Sequence, residues 1–198
     1  MIVSKTSRTM RNARRALDSM GLGYETRDGV LVLGSKGKDL PIGLMIYTDE
    51  ENLTLNIYAF LMFDVPEESK KRMIPEINIL NNTINNGAFT VDTERNRVFF
   101  KIVQSICDQP ASVKTVRHLV RLALKTVEMN DSNLMSLVPR ETVMSSDLMY
   151  IRRSPMESAF IRPSYGDAYE REGGPRLRIV RLRRPREGAL RGGHQNGH

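Results

Sequence analysis

Few side chains in this 198-residue chain have the type and spacing for covalent or acid–base chemistry. The three histidines are His118, set among lysines and arginines, and His194 and His198 near the end of the chain. A general base needs a reacting group and an orienting partner within reach. None stands close in sequence to any of the three, so each reads as a solvated side chain. Cys107 is the single cysteine, which excludes an internal disulfide and a multi-cysteine zinc site. With no histidine near it, it reads as a packed or inert thiol. Asp49, Glu50 and Glu51 cluster in a turn and read as solubilising charges rather than an acid/base pair. The run GSKGK, residues 34–38, lacks the spacing and the following helix of a phosphate-binding loop. The chain therefore reads as non-enzymatic, with no cofactor and no metal.

The most distinctive polar stretch is NNTINNG, residues 81–87, with four asparagines in six positions before a glycine. It reads as a helix stop rather than a ligand site. On a helical wheel Asn81 falls inside an apolar stripe between Leu80 and Ile84, where its amide must find backbone partners. Asn86-Gly87 suits the left-handed conformations that end a helix. Phe89 and Val91 then alternate on one strand, and Val98, Phe100 and Ile102 on the next. Asn81, Gly87 and Phe89 are assigned structural roles.

The elements around this stretch follow from periodicity. Met10, Ala13, Leu17 and Met20 mark a first helix over residues 5–20, its other faces rich in arginine (Arg8, Arg11, Arg14, Arg15), with Gly21 ending it. Short extended segments at 24–26 and 30–33 flank Asp28-Gly29, and Ile42, Leu44 and Ile46 share a strand face over 42–48. In the strand 53–63, Leu53, Leu55, Ile57, Leu61 and Phe63 lie on one face. The other face turns apolar at Tyr58, Phe60 and Met62. A strand apolar on both faces wants cover on both sides, from a helix of the same chain or from a second subunit. These three residues are candidates for a dimer or partner surface.

Asp64-Val65-Pro66-Glu67-Glu68 reads as a helix start with Asp64 as cap. The helix runs to about Ile84, with Met73, Ile74, Ile77, Leu80 and Ile84 as its stripe. Pro75 either kinks it or breaks it in two. A closing helix spans 109–129, capped by Asp108 or Ser112. Its Lys114, Arg117, His118, Arg121 and Lys125 form one cationic stripe, either a solvated face or a dock for an acidic partner segment. Lys114, Arg117 and Arg121 are the protein-binding candidates there.

Charge marks a boundary. The net charge is +7, and all eight lysines precede residue 131, whereas all twelve cations of residues 131–198 are arginine. Residues 1–130 are expected to form one domain. Residues 131–198 read as an Arg-rich, largely disordered extension, too polar and Pro/Gly-rich to offset the entropy of ordering. Within it, Arg176, Arg178, Arg181, Arg183, Arg184 and Arg186 interleave with Leu, Ile and Val. They are candidates for nucleic acid or another anionic surface, or simply a solubilising end. No aromatic platform accompanies them, which argues against sequence-specific RNA reading. The longest apolar stretch, 55–63, is too short to span a bilayer, and no secretory signal opens the chain. A cytoplasmic protein is expected.

The junction YAFLMFDVPEESKKRM, the pattern of Leu80, Asn81, Ile84, Gly87 and Phe89, and the hairpin VDTERNRVFFKI before a closing helix resemble the YbjN-like family. That family is also described as candidate bacterial sensory-transduction regulators. The resemblance covers roughly residues 5–130. It implies a type III secretion chaperone-like α+β fold: an antiparallel sheet with flanking helices in the order α-β-β-β-α-β-β-α. It further implies a module that binds other proteins, often as a homodimer, without established catalytic residues. The protein partner is not named by the residues. Pro75 and the arginine-rich tail depart from the family pattern.

Overall fold

The structure, a computed structural model, describes residues 4–140. Helix α1 (Lys5–Ser19) starts where the Ser4 hydroxyl accepts the Ser7 amide at 3.1 Å, a side-chain cap on an otherwise unpaired donor. Four strands follow: β1 (Glu25–Arg27), β2 (Val30–Lys36), β3 (Pro41–Asp49) and β4 (Thr54–Asp64). After α2 (Glu67–Asn81) come β5 (Ala88–Asp92), β6 (Arg97–Ser105) and α3 (Val113–Met135). The six strands form one antiparallel sheet in the order β1-β2-β3-β4-β6-β5. The expected α+β order is thus present, and the extended segment expected at 24–26 forms the three-residue edge strand β1, a fourth strand before α2.

The pleat sorts the strand residues. Leu31 and Leu33, Ile42, Leu44 and Ile46, Leu55, Ile57 and Leu61, and Phe100 and Ile102 share one apolar cluster with Ala13 and Leu17 of α1, Met73 and Ile77 of α2, and Val116, Val120 and Ala123 of α3. All three helices therefore pack on the same sheet face. The alternate residues Val30, Val32, Met45 and Tyr58 lie outside this cluster although they too are buried.

Several boundaries differ from those read off the sequence. Asp64 does not cap α2: Pro66 is the N-cap, with no side-chain bond, and Asp64 is the last residue of β4, 3.9 Å from Arg97. The acids of that expected helix start, Glu67 and Glu68, do occupy the first turn, where they favour the dipole. It continues through Pro75 as one helix, and stops at Asn81 rather than Ile84. Pro75 is exposed, so the carbonyl it leaves without a donor can turn to water. Ile74 is 41% exposed, outside the stripe assigned to it. Since α2 covers the edge strand β5, its contact is the narrow row Ser69, Met73 and Ile77, and Ile74 falls one residue round from it. Helix α3 starts at Val113, capped by the Ser112 hydroxyl on the Thr115 amide at 3.0 Å, not at 109. It crosses residue 130, and Leu134 and Val138 join the core, so the folded part extends past the compositional boundary.

Within that extension Asp131 is 1% exposed. Burial pushes its carboxyl above the ordinary range, and the Ser132 amide, donating to Oδ1 at 2.6 Å, pulls the other way. A carboxyl raised in the folded state binds its proton more tightly there than in the unfolded chain, whose value is near 3.8. Stability should then fall as pH rises from that value through the raised one. Urea midpoints across acid pH should show this slope in the native chain and lose it in Asp131→Asn; an unchanged slope would remove Asp131 as its source.

Candidate protein-binding surface

The sheet face turned away from the helices carries an aromatic row. Registry places Phe60 opposite Phe99, Tyr58 opposite Lys101 and Met45, and Tyr47 opposite Asn56. Ring centroids of Tyr47 and Tyr58 lie 5.8 Å apart, Tyr58 and Phe99 5.1 Å, and Phe60 and Phe99 5.8 Å. These spacings are typical of favourable aromatic pairs. The Tyr47 hydroxyl donates to that of Tyr58 at 3.4 Å, and the Lys101 ammonium lies 5.3 Å from the Tyr58 ring centre. Burial, then the Tyr58 contact, raises the Tyr47 phenol well above its ordinary range, so it stays neutral.

Of the residues singled out on β4, Tyr58 and Phe60 thus sit in one row, Tyr58 buried and Phe60 half-buried. Met62 lies where the β4–β6 register slips between Phe60 and Asp64, beyond the last aromatic pair. Tyr47 and Phe99 were not singled out by sequence reasoning. The alternation of Val98, Phe100 and Ile102 into the core already assigned Phe99 to the other face; what was missing was the pairing that sets it beside Phe60. On the same face Val103 is 49% exposed.

Asn81 ends α2 against the edge strand. Its Nδ2 donates to the Phe89 carbonyl at 3.0 Å, and its Oδ1 accepts the Phe89 amide at 2.8 Å. One side chain thus pairs both backbone groups of Phe89. Gly87 has φ +94°, and a Cβ there would lie 2.5 Å from Cζ of Phe100 and 2.8 Å from the Lys101 carbonyl. Phe89 is 1% exposed, with its ring 5.0 Å from that of Phe100. The following turn is tied down from α2. Lys70 pairs with Glu67 at 2.5 Å and donates to the Thr93 carbonyl at 3.0 Å, while the Val65 amide donates to Asn96 at 2.7 Å.

The remaining candidates do not converge on a reactive centre. Lys114 and Arg121 are exposed and Arg117 is half-buried on the outer face of α3; none enters an ion pair among the described residues. His118 is exposed on the same helix. Cys107 is exposed rather than packed, because the junction between β6 and α3 leaves it outside the core while Ile106 enters it. Asp49 accepts the amides of Glu51 and Asn52 at 3.0 Å and so builds the β3–β4 turn. The tail arginines, Arg176 to Arg186, and the extension after 140 fall outside the described residues. No helix among the described residues is long and apolar enough to cross a membrane.

No family model matches the chain, and no curated protein matches it. Two solved structures are similar in fold. One is the crystal structure of YbjN, a proposed transcription regulator from E. coli, with TM-score 0.51 and 14% identity over 63% of this chain and 92% of that one. The other is a chain of the ExsC–ExsE complex, with TM-score 0.50 and 13% identity over 67% of this chain and 97% of that one. The chain therefore has the YbjN-like, type III secretion chaperone-like α+β fold, carried almost entire by residues before the arginine-rich extension.

Proposed function

We propose that this protein is a cytoplasmic, non-enzymatic protein-binding module, a regulator or chaperone-like adaptor that acts as a homodimer. The observation that carries this reading is the second apolar layer of the sheet, built on Tyr47, Tyr58, Phe60 and Phe99. The core clusters the helices with the opposite face only, so this layer has no helix of the described residues as its cover. Aromatic-rich, charge-poor patches are what interface cores are made of. A second copy is the occupant favoured here. Strands β4, β3 and β6 share this face, with Lys101 paired to Tyr58 and no acidic residue at the positions paired with Tyr58 and Phe60. Such a face can stack on its own copy about a two-fold axis, each apolar patch covering the other. The fold likeness to a chain solved within the ExsC–ExsE complex supports protein binding as the mode of action.

Light scattering of the full chain at tens of micromolar should give twice the 22.5 kDa monomer mass. Phe60→Glu with Phe99→Glu, both half-buried positions, should return a folded monomer with an unchanged circular dichroism spectrum. A native chain that runs as a monomer at this concentration removes the homodimer.

A second reading places function in the tail, where seven arginines face one glutamate between Pro175 and Arg191. Such a segment would hold nucleic acid or another anionic surface through counterion release.

A further inference from the structure

The first and last helices are about 100 positions apart in sequence, yet they lie side by side on the helical face of the sheet. Their junction is specific. The Thr9 hydroxyl accepts the Ala111 amide at 3.1 Å, and the Asn12 side chain donates to the Ala111 carbonyl at 2.8 Å. Thr9 is fully buried there. This clasp fixes α1 against the start of α3 and so fixes the relation of their outer faces.

Those outer faces are both basic. Arg8, Arg11 and Arg15 stand opposite the buried Met10, Ala13 and Leu17 on α1. Lys114 and Arg121 stand opposite Val116, Val120 and Ala123 on α3, and the half-buried Arg117 lies at the border of that outer face. Together α1 and residues 113–125 hold nine Lys and Arg against one acid, Asp18. The other described residues hold ten against fifteen. The charge is thus unevenly placed, with α1 and the first half of α3 positive and the remainder of the described residues negative. None of the six named cations has an ion-pair partner among the described residues.

We propose that this α1–α3 plate is a binding surface for the phosphate backbone of duplex nucleic acid, separate from the tail. Its dimensions suit that partner. Cations at i, i+3 and i+4 repeat about every 5–6 Å along a helix, and packed helices run about 8–10 Å apart. The stripe from Lys114 to Lys125 covers about 16 Å of axis, a length over which a duplex presents about nine phosphate charges. The surface also lacks what other partners need. Neither helix contains Phe, Tyr or Trp, and the single ring of His118 is no platform on which successive unpaired bases could stack. The one large exposed apolar residue on these helices is Met129, beyond the cationic stripe, so a protein segment finds no buried anchor. The apolar faces of both helices are in the core and are not available to enter a membrane. Opposite charge on the remainder of the domain orients an approaching polyanion onto this layer.

The test is fluorescence anisotropy of the full chain with a labelled mixed-sequence duplex, titrated from about 50 to 200 mM salt. A background variant, Arg178→Gln with Arg181→Gln and Arg183→Gln, should still bind. Adding Arg11→Gln, Arg117→Gln and Arg121→Gln to it should reduce the salt slope by about 2 to 3 and weaken binding roughly tenfold or more, since each lost phosphate contact removes about 0.9 from the slope. All six positions are polar, and unchanged circular dichroism and melting would show the fold intact. The proposal is overturned if the native chain does not bind the duplex. It is also overturned if the tail substitutions alone abolish binding, or if the helix substitutions leave the slope unchanged. Equal or tighter binding of poly-glutamate or of phosphatidylserine vesicles would put an acidic protein or a lipid surface in its place and overturn it too.

Discussion

Replacing Gly87 with alanine should destabilise the domain by about 3–4 kcal/mol. Two costs add. At φ +94° an L-residue sits in a conformation costing about 1–2 kcal/mol. The new Cβ would also meet Cζ of Phe100 at 2.5 Å and the Lys101 carbonyl at 2.8 Å. Phe100 is fully buried and Lys101 contributes backbone in a paired strand, so neither can withdraw freely. Overpacking of this kind costs about 1–3 kcal/mol. Gly29 is the control: φ is +81°, but nothing lies within 4 Å of its Cβ position. Gly29→Ala should therefore lose only the backbone part. Urea denaturation of both variants decides it; equal losses would mean that the close approach at Gly87 relaxes without cost.

Asn81→Ala should cost about 2–3 kcal/mol, because one truncation leaves the Phe89 amide and carbonyl both without their partner. Each unsatisfied group next to a core costs about 1–3 kcal/mol, less what water recovers at the edge of the sheet. Asn82→Ala, one residue on and exposed, should change stability by less than about 0.5 kcal/mol. The local signature is hydrogen exchange. The Phe89 amide should lose protection in Asn81→Ala before the amides of β6 do. The edge of β5 would also be left open, and exposed strand edges promote association between chains. If the Phe89 amide keeps its native protection, the side-chain clamp is not what holds the strand.

These two residues show how far the sequence could be read. The wheel placed Asn81 within an apolar stripe, and a buried amide must be paired, so a helix stop was legible. Which groups would pair with it was not, because the Phe89 backbone comes within reach only after the chain turns at Gly87. Gly87 was legible as a turn residue through its conformational freedom. The second demand on it, the approach of Phe100 and Lys101, depends on the β5–β6 register. Helix ends were less secure. Asp64 has the chemistry of a cap, yet it completes β4 because the strand ladder extends to Arg97. Ile74 has the spacing for burial, yet α2 covers only an edge strand and leaves it outside.

By itself the sequence determined which face of each strand and helix is apolar, since alternation and 3.6-residue periodicity are local properties of the chain. It determined the element order, the polar stop before β5 and the basic character of α1, α3 and the tail. Only the tertiary structure decided adjacency. It set Phe99 beside Phe60 and Tyr47 beside Tyr58, turning scattered aromatics into one row. It also clasped α1 to α3 through Thr9, Asn12 and Ala111, setting two basic helices side by side. Adjacency depends on strand register and helix docking, which are fixed by the packing of the whole core and have no signature in any short stretch of residues.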